Sequence, residues 1–195
     1  MHTDQPTLRQ SFSLSATNDT ALARRACDDP QAFTELYGRY LDRVYRFVLI
    51  RTGDTDDAQD LTSQTFLAAL ESIARYDGRG SFGGWLFGIA RHKIADHYRR
   101  RRPDVSLDDA ELLHHPDPAP EDIAHTHLQL ARIARMLHSL DAQQAEAVAL
   151  RIFGELDAAQ VAQVMGKSEA AAKMLVHRGL HKLQERLTPT LEVSL

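Results

Sequence analysis

Apolar positions recur every three or four residues along most of this chain, and no run alternates with period two, so the pattern predicts an all-α protein. Asp29-Pro30 reads as a helix start, a capping carboxylate followed by proline at the first helical position. Phe33, Leu36, Tyr37, Tyr40, Leu41, Val44, Phe47 and Val48 then mark its apolar stripe, and Gly53 ends it. Asp54 or Thr55 can cap a second helix with Ala58, Leu61, Thr65, Phe66, Ala69, Leu70 and Ile73 on its inner face. Residues 76–81 form a turn. A third helix follows, with Phe82, Leu86, Ile89, Ala90, Ile94 and Tyr98 spaced for burial. Four more helices are predicted over 121–139, 142–153, 157–165 and 168–187.

Between the two sets of helices the periodicity lapses. Residues 103–120 carry Pro103, Pro116, Pro118 and Pro120, and proline both removes a backbone donor and biases its predecessor away from helix. The segment reads as a flexible, acidic, Pro-rich linker. Two small helical domains are therefore expected, over 19–102 and 121–187. Residues 1–18, rich in Ser, Thr and Gln, read as a mobile tail, and 188–195 as a C-terminal tail.

Within the second domain, Asp157 caps a short helix carrying Val161, Ala162 and Val164. Gly166 permits a sharp turn, Ser168 caps the next helix, and Ala172 faces back on the first. Small residues at these positions let two helices cross closely, which is helix-turn-helix spacing. Residues 167–186 of the unit carry five cations (Lys167, Lys173, Arg178, Lys182, Arg186) against two acids, Glu169 and Glu185. That balance suits phosphate contact, with the front of the second helix entering a major groove. The alternative reading is an ordinary helical hairpin with a solvated basic face.

Charge changes the picture of the first domain too. The whole chain is slightly acidic, with 23 Lys and Arg against 27 Asp and Glu, which argues against nucleic acid as a partner. Yet residues 91–102 hold six basic groups and one acid, whereas 103–123 hold seven acids and no Lys or Arg. The basic stretch follows Phe82, Trp85 and Phe87. Rings beside cations are what a single strand needs, since bases stack on rings while cations track phosphates. The competing reading places the rings in the core and the arginines at a helix end.

Other classes find less support. No apolar run approaches the ~18 residues of a membrane helix, no secretory signal opens the chain, and the lone Cys27 cannot form an intrachain disulfide, which points to the cytoplasm. His114, His115, His125 and His127 suggest a metalloenzyme, but they lie in or beside the linker, away from the rigid scaffold that metal ligands need. No nucleophile-base pair or phosphate loop supports catalysis, and no cofactor or metal is expected. A stand-alone helix-turn-helix regulator explains residues 140–187 and leaves 54–102 without a role.

Taken together, the two halves resemble the sigma-70 family of bacterial RNA polymerase sigma factors, in its extracytoplasmic-function (ECF) group. The residues that carry the resemblance are Asp29-Pro30-Gln31-Ala32-Phe33, Leu36-Tyr37, Asp57-Ala58-Gln59-Asp60-Leu61, Thr65-Phe66-Leu67, Ser81-Phe82, Trp85-Leu86, Ile89-Ala90-Arg91 and Asp96 to Arg100. Leu140, Leu150-Arg151, Val161-Ala162, Gly166, Lys173, His177-Arg178 and Leu183 continue it. The resemblance implies a non-catalytic specificity subunit that binds core polymerase and directs promoter recognition, melting and initiation. It implies a region 2-like first domain that docks on the polymerase β′ clamp helices through Asp57, Asp60, Leu61, Thr65 and Phe66. It implies capture of the melted −10 element by Tyr76, Arg79, Ser81, Phe82, Trp85, Arg91, Lys93, Tyr98, Arg99 and Arg100. A region 4-like second domain would meet the β flap and the −35 element through Lys167, Ser168, Ala170, Ala171, Lys173, Met174, His177 and Arg178.

Departures from the family pattern sharpen the expectation. Gln59 and Gln64 stand where acids are usual, so the polymerase-facing helix is less negative. The recognition helix opens Ala170-Ala171-Ala172-Lys173-Met174-Leu175, and alanine can touch a thymine methyl without making the bidentate bonds that distinguish base pairs. DNA shape and phosphate contacts then carry more of the −35 readout. Met174 and Leu175 are candidates for a protein interface, with an anti-sigma factor as the implied partner.

Overall fold

The computed structural model describes residues 18–101 and 132–191, and every regular element among them is helical. The predicted linker, the start of the 121–139 helix and the four clustered histidines lie outside the described residues.

The first half contains α1 (residues 18–25), α2 (Pro30–Thr52), α3 (Thr55–Ser72) and α4 (Phe82–Arg100). The ends of α2 and α3 follow the predicted chemistry, and the cap of α4 is a residue read only as part of a turn. Asp29 accepts from the Gln31 amide with proline in the first turn, and Gly53 closes α2 at φ 73°, a left-handed backbone that glycine adopts without strain. Asp54 caps α3 and Ser81 caps α4, each accepting from the amide three residues on. A short 3₁₀ turn over Ile73–Arg75 leads α3 into the loop before α4.

Helices α2, α3 and α4 pack as a bundle around Phe47, Phe87, Leu36, Leu61 and Leu86, all fully buried. Phe47 and Phe87 meet edge to face at 5.4 Å. α1 is fastened to α2 by Asp19, which accepts from the Tyr40 hydroxyl at 2.7 Å and pairs with Arg39. Burial pushes the Tyr40 phenol above its ordinary value, and the adjacent Asp19 carboxylate pushes it the same way. Among the described residues of this bundle, the Thr62 hydroxyl and the Arg43 Nε are buried without a hydrogen-bond partner. Thr62→Val keeps the shape and removes the unpaired polar atom, so it is expected to stabilise the chain by about 1 kcal/mol in denaturant unfolding.

The second half contains α5 (residues 132–138), α6 (Ala142–Ile152), α7 (Ala158–Met165) and α8 (Glu169–Leu191). Asp157 and Gln160 form a reciprocal capping box on α7, Gly166 turns the chain at φ 63°, and the Ser168 hydroxyl accepts from the Ala171 amide to open α8. A Cβ on Gly179 would lie 2.6 Å from Val148, so this glycine lets α8 cross α6 closely. Helix α8 runs on to Leu191, past the predicted end at 187 and into the expected tail.

The two halves do not stand apart. α4 packs on α7 and α2 on α6, and a single hydrophobic core runs through both. Leu156, in the turn between α6 and α7, is fully buried, and its side chain reaches Gly83 on α4. Arg43 of α2 holds the same turn. Its guanidinium donates to the Gly154 carbonyl, faces Glu155 at 3.5 Å and lies over the Tyr40 ring. Glu155 itself has a positive φ of 50°, rare for a side-chain-bearing residue, so the turn is locally strained where Arg43 grips it.

Candidate nucleic-acid interface

The loop over residues 76–81 and the front of α4 form the most distinctive surface of the first half. Asp77 accepts from the Arg79 amide at 2.8 Å, and Gly78 and Gly80 take φ of 73° and 80°, so the loop is built from tight left-handed corners. Tyr76 is buried beneath it, with its ring 5.3 Å from Trp85 and 5.9 Å from Phe82. Burial pushes the Tyr76 phenol above its ordinary value.

Of the residues predicted to meet the −10 element, Tyr76 and Phe82 are core residues, and Ser81 spends its hydroxyl on the α4 cap. Trp85 is half-buried and keeps part of its ring accessible beside the loop. Arg79 is almost fully exposed, with Asp77 at 3.4 Å. Lys93 is half-exposed. Tyr98 donates to the Arg51 carbonyl at 2.8 Å, and Arg99 and Arg100 are exposed and bonded to Asp96. Arg91 pairs with Glu146 of α6 at 2.9 Å, a contact across the two halves. A second such contact falls on the loop itself. Gln163 of α7 sits where a Cβ on Gly80 or Gly84 would be, 2.5 and 2.7 Å from those positions.

On α3 the predicted polymerase contacts divide in a similar way. Leu61, Thr65 and Phe66 face inward, Thr65 bonded to the Leu61 carbonyl and Phe66 edge-on to Tyr37 at 4.7 Å. Asp57 is occupied by His97 at 3.2 Å and Arg101 at 2.6 Å. Asp60 is exposed and accepts from Gln64. The outward face instead presents Leu67 and Leu70, at 57% and 49% exposure, one turn apart beside Asp60 and Ser63. Periodicity had placed Leu70 inside. It lies at the edge of the apolar stripe, where a three-or-four spacing fits either face. An unburied pair of leucines in a capped helix is the signal that identifies this face.

In the helix-turn-helix, Ser168, Ala170, Lys173, Met174, His177 and Arg178 are exposed, with Lys167 and Ala171 half-buried. Lys173 pairs with Glu169 at 2.6 Å. Ala172 is buried against the first helix, as the spacing requires. Leu175 is half-buried against the core, whereas Met174 is among the most exposed apolar residues of this half. Among the described residues no group of three or more His, Cys, Asp or Glu could hold a metal ion, and no helix is long and apolar enough to cross a membrane.

Comparison with known proteins gives this arrangement a family. Residues 36–103 match Sigma-70 region 2, and residues 130–183 match Sigma-70, region 4. The ECF RNA polymerase sigma factor BldN of Streptomyces coelicolor is 38% identical over 169 residues, spanning 85% of this chain and 64% of that protein. The ECF RNA polymerase sigma factor SigE of Mycolicibacterium smegmatis is 30% identical over 187 residues, covering 94% of this chain and 69% of the relative. Among solved structures, CnrH in complex with the cytosolic domain of CnrY superposes with a TM-score of 0.68 at 26% identity, over 88% of this chain and 97% of CnrH. The fold is thus that of a two-part sigma factor. The chain belongs to the sigma-70 family, in its ECF group.

Proposed function

We propose that this chain is a promoter-specificity subunit that binds core RNA polymerase and directs initiation, working in the cytoplasm without catalysis of its own. The observation that carries the reading is one face of α3: Leu67 and Leu70 stand exposed on a helix whose other large apolar residues, Leu61 and Phe66, are buried. Such a pair suits a helical partner, and the β′ clamp helices are that partner in this reading. Residues 19–102 form the polymerase- and −10-binding unit, and 121–187 the −35-binding unit, joined by the 103–120 linker.

The chemistry of the −10 surface fits capture of a melted strand. Arg79, Arg99 and Arg100 offer cations for phosphates, and the accessible part of Trp85 offers a ring face. Unstacking a base costs a few kcal/mol, which a pocket and a cationic groove offset. On the other unit, Lys167, Lys173 and Arg178 supply phosphate contacts, while Ala170 and Ala171 read through methyl contact and groove shape. Two weak sites on one chain gain from effective concentration once polymerase holds both in register. Exposed Met174 is offered to a protein partner, in this reading an anti-sigma factor; the solved CnrH structure is of CnrH in complex with the cytosolic domain of CnrY.

The test is a gel-filtration assay with bacterial core polymerase, followed by transcription from a promoter library. Co-elution and discrete start sites support the reading. A chain that binds promoter DNA tightly but never co-elutes with core would turn it into a stand-alone regulator.

A further inference from the structure

The residues that match Sigma-70 region 2 begin at 36, so α1 lies outside them. It nevertheless touches the strand-capturing loop at two points. The Thr20 hydroxyl lies 3.3 Å from the Tyr76 hydroxyl, which in turn donates to the Gly80 carbonyl at 3.3 Å. One turn further on, the Nε–Nη2 edge of the Arg24 guanidinium faces Gly78: a Cβ there would sit 2.6 Å from Nη2, 3.0 Å from Nε and 3.2 Å from Cζ. Gly78 takes its positive φ without strain, and its bare Cα leaves room for the guanidinium where it lies.

Arg24 is exposed, and none of the ion pairs among the described residues involves it, unlike Arg25 on the same helix, which pairs with Asp29. It therefore stands against the loop outside any of those ion pairs, on a loop that also carries exposed Arg79, paired with Asp77, and is entered from exposed Arg75. An exposed guanidinium with one edge against a glycine corner keeps its Nη1–Nη2 edge for a phosphate diester, whose oxygens accept forked donors.

We infer that Arg24 is a further DNA ligand, contacting the backbone of the single strand that loop 76–82 captures, with Thr20 holding the loop against α1. This rests on the −10 reading proposed above and adds to it a helix that the matched region does not contain. The contact is to phosphate, so it adds affinity without base preference.

The experiment uses the full chain bound to core polymerase and a fluorescent single-stranded oligonucleotide carrying the −10 sequence read from mapped start sites. Affinity is measured for wild type, Arg24→Ala and Arg24→Lys across a salt series. Arg24→Ala is expected to weaken binding roughly tenfold and to flatten the log-log salt dependence by about 0.7, the slope of one lost phosphate contact on single-stranded DNA. Arg24→Lys is expected to restore the slope and part of the affinity, and all three are expected to bind core equally. If Arg24→Ala binds as wild type does, or loses affinity with the slope unchanged, the phosphate contact is refuted while the −10 reading stands. A wild-type complex that shows no preference for the −10 oligonucleotide over a scrambled one would overturn both.

Discussion

Replacing Leu67 and Leu70 together by glutamate is expected to abolish association with core polymerase while leaving the chain folded. Both side chains point away from the bundle, so the folded state loses almost no packing when they change. In a complex each would be buried, and burying a leucine contributes roughly 1.5–3 kcal/mol. Losing two, with a carboxylate desolvated in place of each, weakens the complex by roughly two to four powers of ten. Leu61→Ala gives the opposite outcome. Leu61 is fully buried, so its truncation is expected to cost about 2–5 kcal/mol of folding stability. Denaturant unfolding beside a core-binding titration separates the two cases. A Leu67→Glu/Leu70→Glu chain that still binds core with wild-type affinity would remove α3 as the docking helix.

A second large effect is expected at the contact between the halves. Arg91, a proposed strand contact, is held by Glu146, and Gln163 rests on the loop at Gly80 and Gly84. In this arrangement the second half sits on part of the surface that the first half would offer to DNA, at Arg91 and the Gly80–Gly84 corner. Arg43 fastens the same side through Gly154 and Glu155. With exposure discounted, the two sets of charged bonds contribute about 2 kcal/mol to holding the halves together, close to 30-fold in the equilibrium. The Arg43→Ala/Glu146→Ala chain, free of polymerase, is therefore expected to bind single-stranded −10 DNA about 30-fold more tightly than wild type. Small-angle scattering on the same samples should show a larger radius of gyration. An expanded chain whose DNA affinity had not moved would show that the contact does not occlude the site.

The helices themselves were largely legible from the chain. Asp29-Pro30, Asp157 and Ser168 each signal a helix start through a local hydrogen bond, and each caps one in the structure; of Asp54 and Thr55 the cap is Asp54, and Ser81, read as part of a turn, caps α4. Gly166 and Ala172 likewise fix the helix-turn-helix by short-range geometry. What the pattern missed depends on contacts between distant residues. Tyr37, Leu70 and Tyr98 lie at stripe edges, where spacing allows either face, and all three are exposed. Spacing marked Phe82 for burial while the resemblance put Phe82 and Tyr76 on the −10 surface; the structure buries both and leaves Trp85 as the half-accessible ring. The Arg91–Glu146 pair spans 55 residues, and nothing local announces it. Net charge was the least informative quantity. It averages a basic helix end, a basic helix-turn-helix and an acidic stretch between them into a small negative total.

The most direct measurement is to load the purified chain onto core polymerase, transcribe fragmented genomic DNA and sequence the 5′ ends of the transcripts. Start sites that appear only with the chain present, and share two short upstream elements at fixed spacing, are the predicted result. Transcripts no different from those of core alone would contradict the assignment.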